Sequence, residues 1–155
     1  MKQAPTVVPD ARGLRVAVVR SAFNPQVVAG LAAGARAALR EMGAAEQDVE
    51  EVEVPGAFEL PLAAQAAARS GRFAAVVALG CVVRGETDHY EHIAREVAAG
   101  LAAVARESGV PVGFGVLTVA DEAQALARSG EGEDNKGAEA ARAAVAMVHA
   151  LRRLR

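Results

Sequence analysis

A chain of 155 residues, 52% of them apolar and with a net charge of −2, suits one soluble domain around one core and excludes a disordered chain. The near-neutral balance gives no electrostatic ground for binding nucleic acid; the one basic run, Arg152, Arg153 and Arg155, reads as cations complementing the dipole at the end of a last helix. Cys81 is the only cysteine, so no internal disulfide forms and a reducing cytoplasm is a permitted home. The first twenty residues hold no apolar block of signal-peptide length, and the longest apolar stretch, residues 73–83, is too short to span a membrane.

In chain order, residues 15–20 read as a buried strand. Residues 25–42 carry Val28, Leu31, Ala35 and Leu39 at helical spacing, with Gly43 as the stop. Residues 49–54 alternate Val and Glu as a period-two strand. A helix is expected over 60–69, ended by Ser70-Gly71, and a short apolar strand over 75–79. A long helix follows over 89–107, stopped by Ser108-Gly109, then a strand over 111–117. Helices over 122–129 and 136–154 complete the chain. Thr6-Val7-Val8 reads as an extra edge strand, because Pro5 and Pro9 suit an edge and not a sheet centre. The whole chain, 1–155, is thus one domain with residues 1–14 as an arm or edge strand. Strands alternating with helices imply an α/β fold, a three-layer αβα sandwich around a parallel sheet. Such sheets bind ligands beyond the carboxyl ends of their strands.

The segments expected past those strand ends are Ser21-Ala22-Phe23-Asn24, Pro55-Gly56-Ala57-Phe58-Glu59, and the run from Gly80 to His89. The fourth strand carries Phe114. Any one of these Phe residues reads as core filling. Three at one edge, in a chain with 3% aromatics, favour a pocket for a flat ring. Gly85-Glu86-Thr87 precedes a helix, where free N–H groups and the dipole attract an anion such as phosphate. A plain N-cap by Thr87 or Asp88, with Glu91 closing a capping box on Asp88, is the bland reading of the same residues. The full P-loop pattern is missing, which argues against nucleoside triphosphate hydrolysis. His89 falls in the first turn of that helix, where the dipole favours a neutral, proton-accepting imidazole. His92 and His149 read as surface residues, and Cys81, among apolar neighbours, as an inert buried thiol. Lys136, one of only two lysines, is an anion ligand or a solvated lysine beside Asn135 as helix cap.

Phe23-Asn24, Pro-Gly-Ala-Phe-Glu at 55–59, Ala-Leu-Gly-Cys-Val-Val-Arg-Gly-Glu-Thr-x-His at 78–89, Phe-Gly-Val-Leu-Thr at 114–118 and Asn-Lys-Gly-x-Glu-Ala-Ala at 135–141 resemble lumazine synthase. The match runs in order from about Arg15 to the C-terminus, and the 78–89 and 135–141 segments are its specific parts. The resemblance implies a flavodoxin-like sheet and riboflavin biosynthesis. It implies condensation of 5-amino-6-(D-ribitylamino)uracil with 3,4-dihydroxy-2-butanone 4-phosphate to 6,7-dimethyl-8-ribityllumazine, phosphate and water, with no metal and no cofactor. Phe23 would stack on the pyrimidine, Glu59 would hold ribityl hydroxyls, and Ala57, Phe58, Cys81, Val82 and Val83 would bind the same substrate. Glu86 and Thr87 would cradle the phosphate with Arg128 as counter-charge. His89 would shuttle protons. Phe114 and Arg128 would come from a neighbouring subunit. Asn24, Gly85, Lys136 and Glu139 are further candidates.

The resemblance also implies a homo-oligomer, a ring of five subunits and a shell of sixty, with riboflavin synthase as a candidate partner. The run Gly130-Glu-Gly-Glu-Asp134 is more acidic than suits a neighbouring phosphate site. Two competing readings keep the fold: a non-catalytic flavin-binding or cage-forming relative, and a flavodoxin-type electron carrier. Retention of His89 and Arg128 weighs against the first. The short, hydroxyl-poor loop Ser21–Asn24 weighs against the second.

Overall fold

A computed structural model describes residues 8–155. The elements are β1 (Val16–Ser21), α1 (Pro25–Glu41), β2 (Val49–Val54), α2 (Leu60–Arg69), β3 (Ala75–Val83), α3 (His89–Ser108), β4 (Val112–Val119), α4 (Glu122–Ala127) and α5 (Lys136–Leu154). Short 3-10 turns at Glu46–Asp48 and Ala57–Glu59 lead into β2 and α2. The order is the one expected from periodicity. The extra strand expected at Thr6-Val7-Val8 falls largely outside the described residues, and Val8 itself has no regular structure.

All four strands are parallel, in the order β2-β1-β3-β4. Val16 lies opposite Val49 on one side and Ala75 on the other, and Val76 lies opposite Val112. Period-two alternation sends successive side chains to opposite faces. Val16, Val18, Val77 and Leu79 thus join the core under α1 and α5. Ala17, Val19, Val76 and Ala78 join the core under α2 and α3. A fully buried Val or Leu contributes about 1.5–3 kcal/mol, so these two layers carry the sheet. β3, buried through its first seven residues, is the unbroken apolar run that a central parallel strand requires.

Two boundaries differ from expectation. β3 does not end at Leu79 but continues through Val83, so Gly80, Cys81, Val82 and Val83 are strand residues and not loop. β4 extends beside it, with Cys81 opposite Leu117 and Val83 opposite Val119; the long partner strand is what keeps the pairing alive. Among the described residues β2 pairs only with β1, and its four middle residues, Val52 among them, are exposed. Its Val-Glu alternation is that of an edge strand whose acids are paired: Glu51 with Arg20 at 3.2 Å and Arg36 at 2.9 Å, and Glu50 with Arg72. Gly109 ends α3 with φ at 72°, a left-handed cap that a side chain disfavours.

Candidate active site

β1→α1 runs to one edge of the sheet and β3→α3 to the other, so the chain changes direction between β1 and β3. The crevice beyond the carboxyl ends of those two strands is where such folds hold ligands. Phe23 and Asn24 lie on one wall of it. Asn24 takes a left-handed conformation, φ 55° and ψ 58°, and is the one non-glycine residue described with positive φ. Its amide nitrogen donates to the Cys81 carbonyl at 3.0 Å, which ties the β1–α1 turn to the end of β3. Proline at the first helical position then starts α1 at its preset φ. The Phe23 ring lies against Gly56, where a Cβ atom would stand 3.1 Å from Cδ2. Glu59 closes the next turn, its carboxylate accepting from the Gly56 N–H at 3.1 Å. Phe23 and Phe58 are 68% and 61% exposed, large flat rings flanking the turn that Glu59 closes.

The loop 84–88 and His89, which follow β3, are all exposed. The capping box on Asp88 is absent: Asp88 makes no side-chain cap. Thr87 Oγ1 instead accepts from the His89 N–H at 3.4 Å, and the Asp88 carboxylate lies 3.4 Å from His92 Nε2. His89 opens α3 with its ring exposed, and His92 is a surface residue. His149 is half-buried, its Nε2 2.6 Å from the Asp10 carbonyl, a structural contact and not a free surface position. Cys81 is buried, and burial pushes its thiol up to about 11. A thiol protonated at neutral pH is a poor nucleophile, as the apolar neighbourhood suggested.

Phe114 is not with the other two aromatics. It sits opposite Ala78 in the middle of β4, four residues back from Thr118, about 13 Å down the strand at 3.3 Å per residue. β4 is also the far edge strand, two strands over from β1. The three-Phe cluster at a single edge is therefore a correction: one protomer brings together Phe23 and Phe58, and holds Phe114 apart. Phe114 instead lines an open groove of about 300 Å³ along the free edge of β4, with Thr118, Arg128, Lys136 and Glu139. Arg128 follows α4 and donates from Nη1 to the Gln124 carbonyl at 2.9 Å. Lys136 opens α5, its ammonium 2.8 Å from Glu139, and its N–H donates to the Arg128 carbonyl at 2.9 Å. The groove is cationic at one end and aromatic at the other. The acidic residues 131–134 are all exposed. Among the described residues no cluster of His, Cys, Asp and Glu has the arrangement of a metal site, and no helix is long and apolar enough to cross a membrane.

Sequence reasoning passed over two residues here. Thr118, on the groove wall, reads in the sequence as an ordinary strand residue. Ser21 reads as loop, yet it ends β1, is 1% exposed, and its hydroxyl has no partner among the described residues. Only the register that packs it beside Gly80 and Leu60 reveals it.

The fold defines a doubly wound α/β protein, with Phe23, Phe58 and Glu59 beyond the β1 and β2 ends and Arg128 and Lys136 in a groove along β4. Residues 13–152 match the family described as 6,7-dimethyl-8-ribityllumazine synthase. The chain is 52% identical over 151 residues to the enzyme of that name from Kineococcus radiotolerans, an alignment covering 96% of this chain and 92% of the relative. It is 48% identical over 141 residues to 6,7-dimethyl-8-ribityllumazine synthase 1 of Caulobacter vibrioides, covering 91% and 92%. Against the enzyme of Nitratidesulfovibrio vulgaris it is 43% identical over 145 residues, covering 94% and 93%. The chain belongs to the 6,7-dimethyl-8-ribityllumazine synthase family. It is an enzyme of riboflavin biosynthesis.

Proposed function

We propose that the chain condenses 5-amino-6-(D-ribitylamino)uracil with 3,4-dihydroxy-2-butanone 4-phosphate in a site completed by a neighbouring copy. Products are 6,7-dimethyl-8-ribityllumazine, inorganic phosphate and water. Phe23 stacks on the pyrimidine, Glu59 takes the ribityl hydroxyls, and the backbone of Ala57, Phe58 and Cys81 to Val83 holds the ring edge. Gly85, Glu86 and Thr87 receive the phosphate at the start of α3. Phe114, Arg128 and Lys136, the last held by Glu139, arrive from the neighbour's β4 groove. Amine attack on the ketone carbon needs a proton moved on and off oxygen and nitrogen. His89 does this in our reading, a contribution of about 10²–10⁴-fold; its exposed position at the start of α3 supports the assignment. Phosphate leaves as an anion, so fixed cations stabilise the charge that develops. Holding two substrates together supplies much of the remaining rate.

The observation that carries the shared site is the separation, within one protomer, of Phe23 and Phe58 from Phe114 and Arg128. A heterologous contact that repeats this pairing closes into a ring. We read that ring as five subunits, with twelve rings closing into a shell, and the cytoplasm as the enzyme's place of work. Incubating the protein with both substrates and following lumazine fluorescence tests the reaction. Mixing Phe23→Ala and Arg128→Ala subunits, at substrate concentrations too low for either variant alone to turn over measurably, tests the sharing. Reassembled mixtures are expected to regain roughly a quarter of wild-type sites, since each heterologous site draws one half from each of two neighbours. No recovery places both halves in one chain.

A further inference from the structure

We infer that Asn135 is the positioning residue of the cationic half-site, pinning the loop between Arg128 and Lys136 onto the flank of α1 so that both charges stand in place before phosphate arrives. The inference rests on the reading of Arg128 and Lys136 as phosphate ligands. Asn135 is 4% exposed. Its Oδ1 accepts from the Ala138 N–H at 3.0 Å and so caps α5. A serine, threonine or aspartate would cap as well. What they lack is the amide nitrogen, and here Nδ2 donates twice, to the Gly30 carbonyl and to the Gly130 carbonyl, each at 3.0 Å. One bond reaches into the middle of α1; the other holds the loop that begins after Arg128.

The surrounding backbone is shaped for this contact. A Cβ on Gly34 would fall 2.1 Å from Asn135 Oδ1, and one on Gly30 would fall 2.2 Å from the Ser129 carbonyl. The loop thus lies directly on the α1 backbone, with Ser129 buried beneath it. The Lys136 N–H, bonded to the Arg128 carbonyl at 2.9 Å, draws the two cation-bearing residues together at the loop's neck. Residues 131–134 between them stay exposed. Fixing the neck fixes where the guanidinium and ammonium groups start, which is how a preorganised anion site lowers its reorganisation cost.

Asn135→Ser separates the two jobs, because it keeps an oxygen cap and removes both Nδ2 bonds. Steady-state kinetics are measured with each substrate varied in turn. KM for the phosphate-bearing ketone is expected to rise about tenfold, the scale set by small misplacements of binding groups. KM for the pyrimidine should move less than about twofold, and kcat little. In an Arg128→Ala, Lys136→Ala background the same change should add less than about twofold, because its effect runs through those side chains. Equal shifts in both KM values, or an undiminished shift in that background, would make Asn135 merely structural and overturn the inference. If Arg128→Ala alone leaves the ketone's KM unchanged, the phosphate assignment itself fails and the inference goes with it. Should Asn135→Ser not fold, Gly30→Ala presses on the Ser129 carbonyl from the α1 side and must give the same selective rise; its absence counts against the pin.

Discussion

His89 stands at the first position of α3, ring exposed, with its N–H directed at Thr87 Oγ1. His89→Ala is expected to lower turnover roughly ten- to a thousand-fold with substrate binding nearly intact; unaltered turnover in a lumazine fluorescence assay removes His89 from the chemistry. Phe23 carries a different energy. Its exposed ring offers area and a π-face, so Phe23→Ala should weaken the pyrimidine by about 1–3 kcal/mol and leave the ketone phosphate alone. Saturation curves for each substrate decide, and an unmoved pyrimidine affinity would make Phe23 a packing residue. Cys81 is the contrast. Its buried thiol, raised to about 11, is expected to resist alkylation in native protein and to react once the chain is unfolded.

α1 and α5 pack with their backbones in close approach. A Cβ on Gly137 would lie 1.9 Å from the Leu31 carbonyl and 2.6 Å from its carbon, backbone atoms that cannot swing aside. Gly137→Ala should therefore force the helices apart and destabilise the protein by about 3 kcal/mol, the upper range for overpacking a well-filled contact. Gly130 faces only the Leu126 carbonyl at 3.7 Å, an ordinary contact, so Gly130→Ala should change stability by less than about 1 kcal/mol. Urea unfolding of the two variants checks the pair, and similar losses would refute the steric account. At the same scale, the four-residue extension of β3 shows why the strand outran its expected end at Leu79. Gly80 is a poor strand former in isolation, yet β4 offers it Val116 as a partner across the ladder. Tertiary pairing outweighs the local preference.

Among the described residues both sheet edges are uncovered, β2 with Val52 exposed and β4 with Phe114 49% exposed. Open edges and exposed rings are features that proteins usually cover. Assembly covers them in the proposed ring and shell. Light scattering at moderate salt should find particles of pentamer size at least, and of sixty-subunit size if the short loop 129–134 permits ring contacts. Species no larger than a pentamer defeat the shell; a fully active monomer defeats the shared site. The exposed acids Glu131, Glu133 and Asp134 should make any shell more stable as salt screens them.

The sequence by itself determined the order of elements, the parallel α/β class and the two layers of core. Each follows from period and propensity over ten to twenty residues, and short-range rules read those well. It also determined the cap at Asn135, the inertness of Cys81 and, through the 78–89 and 135–141 segments, the family. The tertiary structure alone decided where β3 ended, since strand ends depend on partners far off in sequence. It alone decided that Phe114 lies on the edge strand β4, two strands over from the β1 end that carries Phe23, because strand order is invisible to a one-dimensional pattern. It alone revealed the pair of Nδ2 hydrogen bonds at Asn135. A cap is a relation between residues three apart, whereas the bond from Asn135 to Gly30 joins residues 105 apart, and only folding brings those together.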